Sequence, residues 1–325
     1  MRSLLFAGVL LAVLCAAACA AQGAEPAYPS RPIRLLIPFP PGGAADLIGR
    51  TLGEKLSTQF GQPVVMDNRP GAGGSLATEL LARSEPDGYT LMVGLAGPIT
   101  ISPSVNPHLT YNVARDITPL TRVSETLNVV VVNPSLGVSD VRGFIDWAGK
   151  HRGKAEFGTS GVGQFDHLAG TYFMHLAGIQ MTAVPYKGNG PALVDLVSNR
   201  INITFPPYVV AAPFVKTGRL RALAVTTAER QPLLPDLPPV ADVLPGFGLS
   251  NWNGMFAPGK LAPRIADRLH DAIVKALKEQ DVVQRFHQNG MEPVASPTRG
   301  DFAAFVKEDT ERWARIVREA HLKFD

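Results

Sequence analysis

Cysteine occurs only twice, at Cys15 and Cys19, and both stand in or beside the first apolar segment of the chain. Without that segment the protein has no thiol, so disulfides, thiol catalysis and cysteine–metal sites are excluded from the rest. Long apolar runs are equally scarce. Residues 4–18 form one, preceded by Arg2 and followed by the small residues Ala20, Ala21, Gly23 and Ala24. This order predicts a cleaved secretory signal peptide over residues 1–24. No later run reaches the roughly 18 apolar residues that a membrane span needs. Small residues before Cys19 also suggest a lipid anchor there, but the leucine expected upstream is missing. Charge of one sign is lacking too: Lys and Arg number 31 against 28 Asp and Glu, a formal net charge of +3. With no Lys/Arg block, a nucleic-acid partner is not indicated. There is no Walker lysine pattern, no Gly-x-Ser-x-Gly elbow, no dinucleotide fingerprint and no metal-ligand spacing of histidines. No cofactor, no metal and no catalytic residue is expected.

What is present is glycine and proline, 31 and 28 residues, gathered at turns. The apolar run 33–37 ends at a Pro/Gly turn over 38–43, and a helical pattern follows over 44–57 with Leu47, Ile48, Leu52 and Leu56 at helical spacing. A strand over 63–67, a second Gly-rich turn over 68–74, a helix over 75–83 and a strand over 89–94 come next. This β-α-β-α-β order with near-continuously apolar strands predicts a parallel sheet covered on both faces. In such sheets ligands bind beyond the carboxyl ends of the strands, where all these turns lie. Further strands are expected at 116–121 and 128–133, then a helix over 139–150 capped by Ser139 and a strand over 154–159. The third Gly-rich turn spans 159–164 and opens a helix over 162–176. Alternation continues to a strand over 220–226, so a second α/β unit is predicted. Residues 231–248 read as a surface connection. After a strand over 251–257 only helices are expected, over 263–278, 281–288 and 298–322, packing back on the first unit. The chain then crosses between units near Leu127 and near Ser250. Residues 25–127 with 251–325 form one lobe and 128–250 the other.

Seven motifs occur in order: YPSRPI at 28–33, PFPPGG at 38–43 with Asp46, NRPGAGG at 68–74, PDGYT at 86–90, GVG at 161–163 with HLA at 167–169, VPYKG at 184–188 and RALAV at 221–225. Together they resemble the extracytoplasmic solute receptors of tripartite tricarboxylate transporters, the Bug family, over nearly the whole chain after residue 24. The resemblance implies the type II periplasmic-binding-protein fold, with two α/β lobes, a central cleft and two hinge crossovers. It implies a periplasmic monomer that captures a small organic acid without catalysis and delivers it to integral membrane transporter subunits. The sequence departs from the family pattern at Ala96, Gly97 and Pro98, at Gln164, Phe165 and Asp166, and over 205–208 (FPPY).

Candidate ligand-binding residues follow from the turns and that resemblance. Phe39, Pro40, Gly42, Gly43 and Ala44 form the first wall, where bared N–H groups at a helix N-terminus favour an anion. Asp46 either complements that helix dipole or contacts the ligand. Thr159, Ser160, Gly161, Gly163 and Gln164 form the second wall, and Gln164 reads the distal end of the ligand. Ser75 is either a helix cap or a contact; Ala96 faces the cleft; Phe165 and Tyr208 either stack on a ring or fill core. His167 is expected to pack, Asp195 to lie exposed or cap a helix, and Lys187 to be solvated or to add positive potential near the mouth. The ligand carboxylate is expected to bridge the helix N-termini after Gly43 and Gly161, and valine at either glycine to weaken binding. Aromatic residues and proline favour a ring-bearing or largely apolar acid. Two alternatives are a secreted ester or amide hydrolase acting through Ser160 and a ligand-sensing receptor for a signalling partner.

Overall fold

The computed structural model describes residues 28–319 except 107, 162 and 187. The predicted signal segment, both cysteines and Lys187 lie outside the described residues.

Strand β1 (Ile33–Ile37) is the centre of one side of the first sheet, parallel to β2 (Val64–Asn68) and to β3 (Thr90–Leu95). Its side chains alternate between two cores because successive Cβ atoms leave opposite faces of a strand. Ile33, Leu35 and Ile37 meet Ile48, Leu52 and Leu56 of α1 (Ala44–Phe60). Leu36 points to the core that also holds Ala77 and Leu81 of α2 (Ser75–Ala82). Helix α1 starts at Gly43 with no side-chain cap and ends at Gly61 in the left-handed conformation, φ 65°.

The chain leaves this sheet along β4 (Ile117–Thr126) and enters β5 (Val129–Val132) of a second one. The second unit runs through α3 (Val141–Lys150), β6 (Glu156–Thr159), α4 (Phe165–Ala177), β7 (Thr182–Pro185), α5 (Asn189–Val197), β8 (Ile203–Thr204), α6 (Tyr208–Lys216) and β9 (Arg221–Val225). Its strand order is β7-β6-β8-β5-β9, with β6 parallel to its neighbours and β5 antiparallel to both of its own. The chain returns in β10 (Asn251–Pro258), which lies antiparallel between β3 and β4. The fold is thus two α/β lobes with mixed sheets, joined by two adjacent crossovers. Those crossovers are tied together. Ser250 Oγ donates to Glu125 Oε1 at 2.5 Å, and Asn251 Nδ2 donates to Asn128 Oδ1 at 3.0 Å.

The C-terminal part packs back on the first sheet through α7 (Pro263–Leu277), α8 (Gln280–Gln288) and α9 (Arg299–Glu319). Three local expectations need correction. The tail is not purely helical: β11 (Met291–Pro293) adds an edge to the first sheet beside β4. Three residues are too few to show a strand period, and only the waiting edge of β4 makes them one. The cap of α3 is Asp140, which accepts from Gly143 N–H at 2.8 Å, because Ser139 stands one residue too early. Helix α4 starts at Phe165 rather than at residue 162, because Gly163 holds φ 75°. At the start of α9 the Thr298–Asp301 capping box forms in both directions, at 3.0 and 3.1 Å.

Candidate functional site

The two lobes enclose a cavity of about 790 Å³, the size range of small-molecule sites. Its first wall comes from the turns after β1, β2 and β3: Phe39, then Ala72 and Gly73, then Ala96, Gly97 and Pro98. Its second wall is the turn after β6 with Ser160, Gly163, Gln164, Phe165 and Asp166, joined by Asn189 at the start of α5. The crossovers supply the floor, Asn128 and Asn251. Every wall turn thus follows the carboxyl end of a strand, where parallel sheets leave backbone groups uncovered. Among the described residues, no Lys or Arg lines the cavity. Nor does any cluster of three or more His, Cys, Asp or Glu among them converge on a metal-sized site.

The first turn is braced from below. Asp46 is 4% exposed and accepts from Gly42 N–H at 3.0 Å, Arg50 Nε at 2.8 Å and Asn68 Nδ2 at 3.1 Å. Asn68 Nδ2 also donates to Phe39 O at 2.9 Å. Asp46 therefore shapes the loop and does not face the cavity. Its hydrogen bond from Arg50 holds its carboxyl down to about 2. Gly42 needs its glycine, at φ 91°, whereas Gly43 is extended at φ −88° and ψ 177°. Pro40, Gly42, Gly43 and Ala44 are exposed, outside the residues that line the cavity. The N–H groups of Gly43, Ala44 and Ala45 have no partner among the described residues, so this helix end still carries open donors.

The second turn is different. Asp166 is 2% exposed and accepts from Ser160 N–H at 2.6 Å, Ser160 Oγ–H at 2.9 Å and His167 N–H at 2.9 Å. Gly161 N–H donates to Thr159 Oγ1 at 3.3 Å, Gly163 N–H to His167 Nδ1 at 3.1 Å and Gln164 N–H to Gly161 O at 3.2 Å. The turn that seemed suited to a ligand carboxylate already holds one of its own. Burial outweighs those hydrogen bonds and pushes the Asp166 carboxyl up to about 6. The folded state then binds a proton that the unfolded chain releases near pH 4, so stability falls as pH rises from about 4 to about 6. Chemical denaturation across that window is expected to show a slope on the order of 3 kcal/mol in total, absent in Asp166→Ser. Equal slopes in both proteins would remove Asp166 as its source. Asp46 acts in the opposite sense and below this window: its contribution is lost as pH falls from about 4 toward 2.

The structure brings Phe39, Ala96, Ser160, Gly163 and Gln164 to the cavity. Thr159 is fully buried beneath the second turn, and Gly161 holds φ 147° beside it. Ser75 is the first helical residue of α2, after Gly74, and accepts from Tyr111 OH at 3.4 Å; it is not a cap. Tyr208 does not face the cavity: it lines a separate groove of the second lobe with Pro134, Leu220 and Leu234. The start of α6 is tied to the first crossover, with Pro207 bridged to Asn128 and Tyr208 N–H donating to Leu127 O at 2.7 Å, and the Tyr208 side chain packs on the second-lobe core. His167 stacks on the Phe157 ring at 6.2 Å, and its burial lowers its basicity. Asp195 bonds Tyr186 OH at 2.9 Å and Arg200 at 3.1 Å, away from the cavity. Sequence reasoning missed Asn128, Asn189 and Asn251. Asn128 follows the predicted crossover at Leu127 and Asn251 the one at Ser250, a position that was itself the available signal.

Comparison with known proteins adds the decisive observation. Residues 48–322 match the family described as "Tripartite tricarboxylate transporter family receptor". The chain belongs to that family. Protein BugT of Bordetella pertussis (strain Tohama I) is 35% identical over 99% of this chain and 98% of its own length. Among solved receptors, R. palustris Rpa4515 with adipate superposes with a TM-score of 0.80 at 31% identity, covering 91% of this chain and 99% of the other. MatC (Rpa3494) from Rhodopseudomonas palustris with bound malate gives 0.76 at 30% identity, covering 89% and 100%. This tripartite tricarboxylate receptor shares their two-lobed periplasmic-binding-protein fold. Among its described residues no helix is long and apolar enough to cross a membrane.

Proposed function

We propose that this receptor is a periplasmic carrier that closes its two lobes on a small organic carboxylate and hands it to integral membrane subunits of a tripartite transporter. The observation that carries the reading is the cavity between the lobes, walled by strand-end turns, with open N–H donors at the start of α1 a few residues along the chain from the lining residue Phe39. Two receptors of the same fold were solved with carboxylates, adipate and malate. The lobe boundaries 25–127 with 251–325, and 128–250, belong to this reading, as does a monomeric state. So do the roles of Phe39, Pro40, Gly42, Gly43, Ala44 and Ala96 on the carboxylate side.

Mechanistically, a helix N-terminus offers N–H groups and a fixed dipole to an anion without a formal charge. Closure removes water and strengthens those charge-assisted bonds, so the ligand favours the closed state. Ordered water completes contacts that backbone donors cannot reach. Hydrolysis through Ser160 is disfavoured, because its hydroxyl donates to the buried Asp166 carboxylate at 2.9 Å.

A thermal-shift screen of organic acids tests the reading. Ligand at about one hundred times its Kd adds about 2.7 kcal/mol, a rise of several degrees for a protein of this size. Adipate, malate and amino-substituted acids belong in the set. If amines or sugars raise the melting temperature and no carboxylate does, the proposal fails.

A further inference from the structure

The two walls of the cavity are chemically unequal. In the turn of the first, beyond the lining residue Phe39 and outside the lining itself, the N–H groups of Gly43, Ala44 and Ala45 are open. At the second, five N–H groups and the Ser160 hydroxyl are spent inside the turn, three of these six donors on Asp166. A full negative charge at the start of α4 exceeds the half charge of the helix dipole, so this pole is net negative rather than positive. Nearby groups continue the pattern. Asn189 lines the same wall, and its Oδ1 is buried without a hydrogen-bond partner among the described residues. On the floor, Asn251 Nδ2 is committed to Asn128, and Asn128 Nδ2 donates to Phe205 O at 2.8 Å. The Gln164 amide reaches across the cleft: a Cβ on Gly73 would stand 3.6 Å from Gln164 Nε2.

We infer that Asp166 turns the second-lobe wall into an acceptor pole, so the acid this receptor keeps carries one carboxylate and, at its far end, an amine or amide donor instead of a second carboxylate. The inference rests on the carrier reading above and narrows its ligand. A dicarboxylate would place its second charge against a buried carboxylate in a cavity with no Lys or Arg among the described lining residues, where the repulsion is weakly screened. An amide or ammonium finds Asp166, Asn189 Oδ1 and Gln164 as acceptors instead. Asp166 is thus a specificity-determining residue that acts by excluding the competitor as much as by contacting the ligand.

Calorimetry on the full-length receptor tests this with three sets of acids of four, five and six carbons: the α,ω-dicarboxylate, its monoamide and the ω-amino acid. The expected result is that at some chain length a donor-bearing acid binds at least tenfold tighter than the dicarboxylate. In Asp166→Ser, confirmed folded by its melting transition, that preference should shrink at least tenfold. Asp166→Asn serves as the second variant, and the wild-type ranking decides alone if neither variant folds. Preference for a dicarboxylate, an unchanged ranking in a folded variant, or binding of none of the nine acids overturns the inference. If the wider acid screen is also silent, the carrier reading falls with it; if the screen responds, only the inference falls.

Discussion

Replacing Trp252 with alanine is expected to destabilise the receptor by about 5 kcal/mol, the largest effect of any single side chain considered. Trp252 is fully buried at the start of β10, edge-on to Phe302 at 5.8 Å and Phe305 at 5.5 Å of α9. Deleting a buried aromatic of this size costs about 3–5 kcal/mol through lost transfer energy and the cavity left behind. Its indole also donates to Asp309 Oδ2 at 2.9 Å, the atom that Thr100 Oγ1 holds at 2.7 Å. Burial already raises the Asp309 carboxyl, and loss of one donor leaves it further under-satisfied, at about 1–3 kcal/mol. Thr100 belongs to the helical segment Gly97–Ile101, whose first turn lines the cavity, so ligand affinity should fall along with stability. Denaturant unfolding measures the loss, and Trp252→Phe, which keeps a six-membered ring but removes the N–H together with the rest of the pyrrole ring, should lose less than the alanine variant. A loss below about 2 kcal/mol in the alanine variant would contradict this account of how α9 holds the cleft wall.

The second large effect concerns binding rather than folding. Gly42→Val is expected to weaken carboxylate capture about ten- to hundredfold, with a melting temperature close to wild type. Gly42 holds φ 91°, which a β-branched residue adopts only with strain of about 1–3 kcal/mol. A Cβ there meets nothing within 4 Å, so the penalty is purely conformational and the exposed loop relieves it by moving. Moving it breaks the Gly42-to-Asp46 bond and displaces the open donors at the start of α1. Gly43→Val is the control. Its φ of −88° suits valine, and its nearest neighbour would be Pro40 O at 3.9 Å, so affinity should change less than about threefold. Titration calorimetry of both variants decides, and equal losses would return the critical role to Gly43.

Much of the architecture was legible because it rests on local pattern. Near-continuous apolar runs marked most strands, helical apolar spacing marked helices such as the one after residue 43, and Gly/Pro clusters marked the turns between them. Met291–Pro293 was not legible, because an edge strand of three residues exists only where a partner edge awaits it. The site was half legible. Strand-to-helix turns with glycine identify where backbone donors gather, and Phe39, Ala96, Ser160, Gly163 and Gln164 do meet there. Tyr208 shows the limit: its aromatic type suggested stacking on a ligand, and the packing of α6 turned it to another groove. Asn128 and Asn251 are 123 residues apart in sequence and share one hydrogen bond, a pairing that only the double crossover creates.

The stretch 38–46 shows the division most clearly. By itself the sequence determined that a turn with exposed N–H groups opens a helix there, because proline fixes φ and cannot join a strand ladder while glycine permits the positive φ that the turn needs. Tertiary structure alone decided which of two such turns stays available to an anion. In the first, Asp46 is drawn under the loop by Arg50 and Asn68 and leaves the helix end open. In the second, Asp166 folds back onto Ser160 and closes it. Both are carboxylates in the first turn of a helix, and their different effect comes from where three-dimensional packing sends their hydrogen bonds.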